Sequence, residues 1–147
     1  MQIDAGGRLE EYTSDIARMG SIGPAPPPAL DMFAACLAAQ ERVRGMVGAG
    51  VSCRDLQRIG TEALTATPWG DYGRFAAHGI GLVSHEPPEV TIDSGRRLEA
   101  GMVLSIETEY RHPDVGHVKL EDSIAVTPTG CEGLGDIERD WCTVSGA

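Results

Sequence analysis

Hydrophobic and polar positions change period several times along the chain, and each change marks an expected element. Residues 1–5 and 12–17 are short runs of mixed character separated by Gly6-Gly7-Arg8-Leu9-Glu10-Glu11, the pattern of a strand, a loop and a returning strand. Residues 23–28, Gly-Pro-Ala-Pro-Pro-Pro, predict a stiff extended crossover, because consecutive prolines neither continue a helix nor donate to a sheet. Leu30, Phe33, Ala34, Leu37, Met46 and Val47 fall near helical spacing, predicting a helix over 29–47 that stops near Gly48-Ala49-Gly50. A second helix is expected from Arg54 to about Thr65, with Ser52 as N-cap and Asp55 in the acidic position of an imperfect capping box. From Pro68-Trp69-Gly70 onward the pattern predicts loop, until two β-prone runs at 101–110 and 115–127 flank Arg111-His112-Pro113-Asp114 as a hairpin loop. The segment after Gly130, with Gly133, Gly135 and Gly146, is expected as surface coil.

Length then bounds the answer. A chain of 147 residues with 41% hydrophobic content suits one domain over 1–147 with a real core, burying roughly 70% of the surface its unfolded form exposes. Twenty-two acidic against 12 basic residues leave a net charge of −10, which repels a phosphate backbone, so nucleic acid is excluded as a partner. The longest apolar run, residues 33–39, is too short to span a bilayer, and residues near Asp4 lack a secretory pattern, so no membrane association and a cytoplasmic location are expected. Cys36, Cys53, Cys131 and Cys142 form no C-x-x-C pair and are expected as reduced thiols.

Candidate chemistry comes from acidic residues in facing positions. Asp4 and Asp15 lie on the two strands of the first expected hairpin; in a register where paired numbers sum to 19 they oppose each other, about 5 Å apart between Cβ atoms. Glu107 and Glu121 would oppose each other across a turn centred on Asp114. Such like-charge pairs destabilise unless one member is protonated or a cation lies between them. The third element is His78-Gly79-Ile80-Gly81-Leu82-Val83-Ser84-His85-Glu86-Pro87-Pro88, where glycines allow close backbone approach to a ligand. Four carboxylates balance two divalent cations, and with one imidazole the set favours Mn²⁺, Co²⁺, Fe²⁺ or Zn²⁺ over Ca²⁺.

These residues resemble the metallopeptidases of the pita-bread fold, which include prolidase, aminopeptidase P and methionine aminopeptidase, with creatinase as a relative. The resemblance rests on Ile3-Asp4-Ala5-Gly6, Ser14-Asp15-Ile16, His78-Gly79-Ile80-Gly81, Ser105-Ile106-Glu107 and Leu120-Glu121-Asp122, in that order, with His85-Glu86-Pro87-Pro88 matching as well. It covers roughly residues 1–135, and the short hairpin between the two glutamates is most similar to the prolidase branch. It implies an α+β fold, a curved antiparallel sheet with helices on one face, of which the chain carries the C-terminal part. Met1 lies only three residues before Asp4, where the family has a further N-terminal half.

The resemblance also implies roles. Asp4 would chelate one metal, Asp15 and Glu121 would bridge both, and His78 would bind the second. Glu107 would bind that one too while acting as general base and acid. His85 would steady the oxyanion, and water held between the metals would attack the amide. The sequence departs from the family's pattern at Ala77, usually glycine; at Thr108, often proline; and at Lys119, often arginine. Lysine keeps the charge but loses the bidentate fork. An Xaa-Pro or N-terminal peptidase is the leading expectation. A creatinase-like or ectoine-hydrolase-like C–N hydrolase and an inactive fragment or binding module stay open. Expected partners are a small peptide or C–N substrate, and a second copy or the absent half of the domain, since a partial sheet exposes an edge. His112 and His117 are expected as exposed loop histidines, Trp69 and Trp141 as packing anchors, and Glu132, Asp136, Glu138 and Asp140 as a solvated tail.

Overall fold

Two alternating β runs, broken on the apolar side at Asp122, form a long hairpin, and every other element is arranged around it. The computed structural model describes residues 1–146. In chain order the elements are β1 (Gln2–Ala5), β2 (Arg8–Leu9), β3 (Tyr12–Thr13), β4 (Ile16–Ile22), α1 (Pro27–Arg44), α2 (Cys53–Thr65), β5 (Gly73–Gly79), β6 (Glu86–Glu89), β7 (Val103–His112), β8 (Gly116–Val126), β9 (Cys131–Leu134) and β10 (Cys142–Val144). The sheet runs β1-β4-β8-β7-β5-β6, with β10 joined to β4 and β9 to β8, while β2 and β3 form a separate small hairpin.

Alternation gives the sheet two unlike faces. Leu104, Ile106, Thr108 and Tyr110 of β7 and Val118, Leu120, Ile124 and Val126 of β8 are buried on one face, beneath the helices. Ser105, Glu107 and Glu109 of β7 and Lys119, Glu121 and Ser123 of β8 lie on the other. Helix α1 meets the apolar face with Ala29, Met32, Phe33, Cys36, Ala39, Gln40 and Val43, a stripe at helical spacing. The two polar members of this interface are satisfied: Gln40 Nε2 donates to the Ile106 carbonyl at 3.0 Å, and Thr108 Oγ1 to the Cys36 carbonyl at 3.1 Å. Helix α2 packs Cys53, Leu56, Ile59 and Leu64 against α1 and β5. At Gly60 it comes so close to β5 that an added methyl would overlap the Phe75 ring.

Several expectations are corrected. Helix α1 starts inside the proline run, because proline is tolerated in the first turn, where the backbone N–H has no partner to lose. Ser52 is the N-cap of α2, but its side chain makes no capping hydrogen bond. The expected loop after residue 68 contains β5 and β6, and the expected coil after Gly130 contains β9 and β10. In the first hairpin Asp4 pairs with Ala17, not Asp15, because residues 8–13 fold on themselves as β2–β3. That small turn places Glu10 and Glu11 at φ 47° and 74°, a left-handed conformation rare for such residues. Asp136 is no solvated tail residue: it takes a two-pronged hydrogen bond from Arg44, at 2.9 and 2.6 Å. Trp141 packs edge-on against Phe33 and Trp69 against Tyr110, both as anchors.

Candidate metal centre

The sheet register lines up the acidic residues. Asp4 pairs with Ala17, Ala17 with Glu121, Glu121 with Glu107, and Glu107 with Ala76, forming one row across five strands on the face away from the helices. The expected Glu107–Glu121 register is therefore found. On one side of the row lies His78-Ser105-Ser123, on the other Arg74-Glu109-Lys119. Asp15 sits just before β4, where Ser123 Oγ donates to its carbonyl at 3.0 Å.

Ligand atoms of Asp15, His78 and Glu121 lie within 4.8 Å of one another, and so do those of His78, His85 and Glu107. Asp4 joins neither group; its Oδ2 accepts from Lys119 Nζ at 2.8 Å. His78 is buried, and its Nδ1 lies 3.0 Å from the Gly79 carbonyl. A carbonyl only accepts, so Nδ1 carries a proton, and in the neutral ring Nε2 presents a lone pair. That Nε2 is 3.5 Å from Glu107 Oε1, too long for a full hydrogen bond, and is buried without a partner. An orphaned imidazole nitrogen beside convergent carboxylates is the donor set of a transition-metal site, so the residues fit a divalent cation. Ser105 Oγ, donating to Glu121 Oε1 at 2.7 Å, holds one of those carboxylates in place.

The electrostatics agree with a centre short of positive charge. Burial raises the Asp15 pKa, and the nearby Asp4 carboxylate raises it further. Glu121 is raised first by burial as well. Glu107 goes the other way, to about 2, because the His78 ring and, against burial, the Lys119 ammonium stabilise its charged form. Burial pulls His78 toward neutrality, but Glu107 and the Gly79 carbonyl outweigh it and its pKa is raised.

The loop from Ile80 to His85 closes one side. Its Leu82 N–H donates to Glu86 Oε2 at 3.1 Å, and Thr13 donates to the Gly81 carbonyl through both its backbone N–H and Oγ1, which ties β3 over the loop. His85 stacks on His78, with ring centroids 3.7 Å apart, and both line a cleft of about 420 Å³ with Glu107, Arg74 and Glu89.

A family description, metallopeptidase family M24, matches residues 1–128. The chain belongs to metallopeptidase family M24. An Xaa-Pro dipeptidase of Pyrococcus furiosus is 31% identical over 139 residues, 94% of this chain and 40% of that protein. An uncharacterized peptidase of Staphylococcus saprophyticus is 31% identical over 137 residues, covering 92% and 39%. Among solved structures, the X-Pro aminopeptidase of Thermotoga maritima superimposes with a TM-score of 0.93 at 28% identity, over 97% of this chain and 41% of that one. The dipeptidase of Pyrococcus horikoshii gives 0.91 at 28% identity, over 97% and 40%. The fold is thus the pita-bread fold of these enzymes, and the chain spans about 40% of the length of the relatives it matches. Membership implies divalent metal ions. No helix among the described residues is long and apolar enough to cross a membrane.

Sequence reasoning missed Ser105, Ser123, Arg74 and Glu109 as neighbours of the centre. The signal was present for three of them, since positions two residues from Glu107 and Glu121 must share their face. His117 is also corrected: it is half-buried, with Nε2 2.6 Å from Glu109 Oε2.

Proposed function

We propose that the chain carries the metal centre and proton-transfer groups of a metal-dependent hydrolase cleaving a peptide bond, of the Xaa-Pro dipeptidase or aminopeptidase type. The convergence of Asp15 and Glu121 on buried His78, whose Nε2 has no hydrogen-bond partner, with Glu107 and His85 facing one cleft, carries this reading. Asp4, Asp15, His78, Glu107 and Glu121 would hold the divalent cations, two as the family resemblance implies, drawn from Mn, Co, Zn or Fe. When bound, such cations make water acidic and polarise a substrate carbonyl.

The protein's own groups do the rest. Glu107, ionised at neutral pH, accepts the proton of the attacking water and returns it to the leaving amine. The Gly79 carbonyl fixes the tautomer and orientation of His78, and Ser105 does the corresponding job for Glu121. His85, on the cleft wall, donates to the oxygen that gains charge in the transition state. The cleft volume suits a small peptide better than a folded protein. As a further partner we propose a second copy or a complementary half-domain, meeting the exposed apolar residues Leu9, Tyr12, Leu82 and Val83 beside the site.

Titrating metal-free chain with Mn²⁺ or Co²⁺ should raise its melting temperature, since a ligand bound only by the native state stabilises it. No shift at millimolar metal would sink the reading. Hydrolysis of an Xaa-Pro dipeptide should fall on the order of 10²-fold or more in Glu107→Gln. His85→Ala should keep the metal-induced shift while losing turnover, because it removes only a transition-state hydrogen bond.

A further inference from the structure

Lys119 is the only lysine in the chain, and it stands inside the acidic centre. Its Nζ lies 2.8 Å from Asp4 Oδ2, 2.9 Å from Glu107 Oε2 and 2.8 Å from Glu121 Oε2, and its side chain is almost fully buried. An ammonium has three N–H donors and no acceptor. The contact with Asp4 is a hydrogen bond, and those with Glu107 and Glu121 are close ion pairs, which leaves Glu121 Oε2 short of a hydrogen-bond donor. The other basic side chains are eleven arginines, and among the described residues none of them pairs with Asp4, Asp15, Glu107 or Glu121; the nearest, Arg74 on the cleft wall, pairs with Glu109.

The two sides of the centre are therefore unequal. On the side of Asp15 and His78, the imidazole Nε2 is buried without a hydrogen-bond partner. On the Asp4 side, the inward oxygens of Asp4, Glu107 and Glu121 already surround a compact cation. A divalent ion reaching those same oxygens has to displace the ammonium and leave a buried lysine without partners, which is costly.

We propose that Lys119 is the resident cation of the Asp4 side, so that the chain loads one divalent cation tightly at Asp15, His78 and Glu121 and a second only by expelling the ammonium. This rests on the metal-binding reading above and assigns the inequality of the two positions to one side chain. Charge supports it: four carboxylates, one ammonium and one divalent ion leave a single negative charge, so the drive to take up a second divalent ion is halved relative to a centre without the lysine.

Calorimetric titration of the full chain with Zn²⁺ alone tests the idea, together with side-chain NMR of selectively labelled lysine, which gives one signal. The first equivalent should bind at least tenfold more tightly than any second and leave the Lys119 ammonium signal hydrogen-bonded. Only excess Zn²⁺ should move that signal to the position of a free lysine. Lys119→Met, purified with Zn²⁺ to offset the lost charge, should bind two equivalents within tenfold of each other. Two equal sites in the unsubstituted chain, or a folded Lys119→Met that still saturates at one, would overturn the proposal while leaving the metal centre intact. No Zn²⁺ uptake by either protein would overturn both. Should Lys119→Met not fold, the stoichiometry and lysine signal of the unsubstituted chain decide alone.

Discussion

Glu121 and Asp122 are neighbours on β8, both buried, yet they face opposite sides of the sheet into opposite electrostatic worlds. Asp122 looks toward the helices. It accepts from Arg18 at 2.6 Å and from Arg139 Nε at 2.8 Å, with Arg44 at 3.9 Å. Arg139 continues to Glu41 at 2.6 Å, fastening the segment after β9 to α1. Glu121 looks away from the helices, among Asp4, Asp15 and Glu107, and its share of positive charge is a single ammonium. Around Asp122 the protein supplies every counter-charge itself; around Glu121 it leaves a deficit that something from outside must fill. Burial and the carboxylate group are the same in both places. What separates a fastening from a binding site is whether the surrounding side chains complete the electrostatic account.

Removing the fastening should have the largest effect. Asp122→Asn leaves three guanidiniums around a neutral amide, and the unfolding free energy should fall by about 3 kcal/mol, read as a lower urea midpoint. Unchanged stability would mean that Asp122 is not what holds the segment after β9 in place. Glu109 sharpens the comparison, because it sits on the cleft face yet is settled like Asp122. Arg74 at 3.1 Å, Arg111 at 3.2 Å and His117 at 2.6 Å all contact it. Burial alone would raise its pKa, but Arg111, His117 and Arg74 outweigh it and lower it. A lowered folded-state value means its stabilisation is present above the unfolded pKa and is lost as pH falls through the folded one. Glu109→Gln should therefore cost about 1 kcal/mol at neutral pH, kept small because both arginines are two-thirds exposed, and should flatten the acid limb of the stability profile. An acid limb as steep as that of the unsubstituted chain would contradict this.

What the sequence made legible follows the same division. The Glu107–Glu121 pairing was readable because one tight turn sets a hairpin's register and the intervening residues are few. Helix α2 was readable from local spacing alone. The Asp4–Asp15 register was not, because residues 8–13 spend themselves on a hairpin of their own, which shifts the strand pairing by two. Strand β5 was hidden because Phe75-Ala76-Ala77-His78-Gly79 has neither β-branched residues nor clean alternation; it is a strand because β7 pairs along its whole length. Strands β9, flanked by Gly130 and Gly135, and β10 are short edges, kept by their partners β8 and β4. The arginine cluster unites residues 18, 44, 122 and 139, a grouping no local pattern encodes. That Lys119 shares a face with Glu121 was legible from period two, but that Asp4 also reaches it depends on β1 and β4 lying beside β8.

The smallest effect on stability should come from the residue that matters most to the centre. Glu121→Gln removes one of four neighbouring carboxylates and keeps the shape. It loses a contact with Lys119, but it relieves the repulsion with Glu107, which stands directly opposite on β7. The Ser105 hydroxyl can still donate to the amide oxygen. These terms oppose each other, so metal-free stability should change by less than about 1 kcal/mol, well under the effect of the same kind of change at the next residue. The rise in melting temperature on adding Mn²⁺ should nevertheless disappear, because the group of Asp15, His78 and Glu121 has lost an anionic oxygen. Paired melting curves with and without Mn²⁺ read both effects in one experiment. If Glu121→Gln destabilised the metal-free chain as much as Asp122→Asn, Glu121 would be a fastening too, and the contrast between the two faces of β8 would fail.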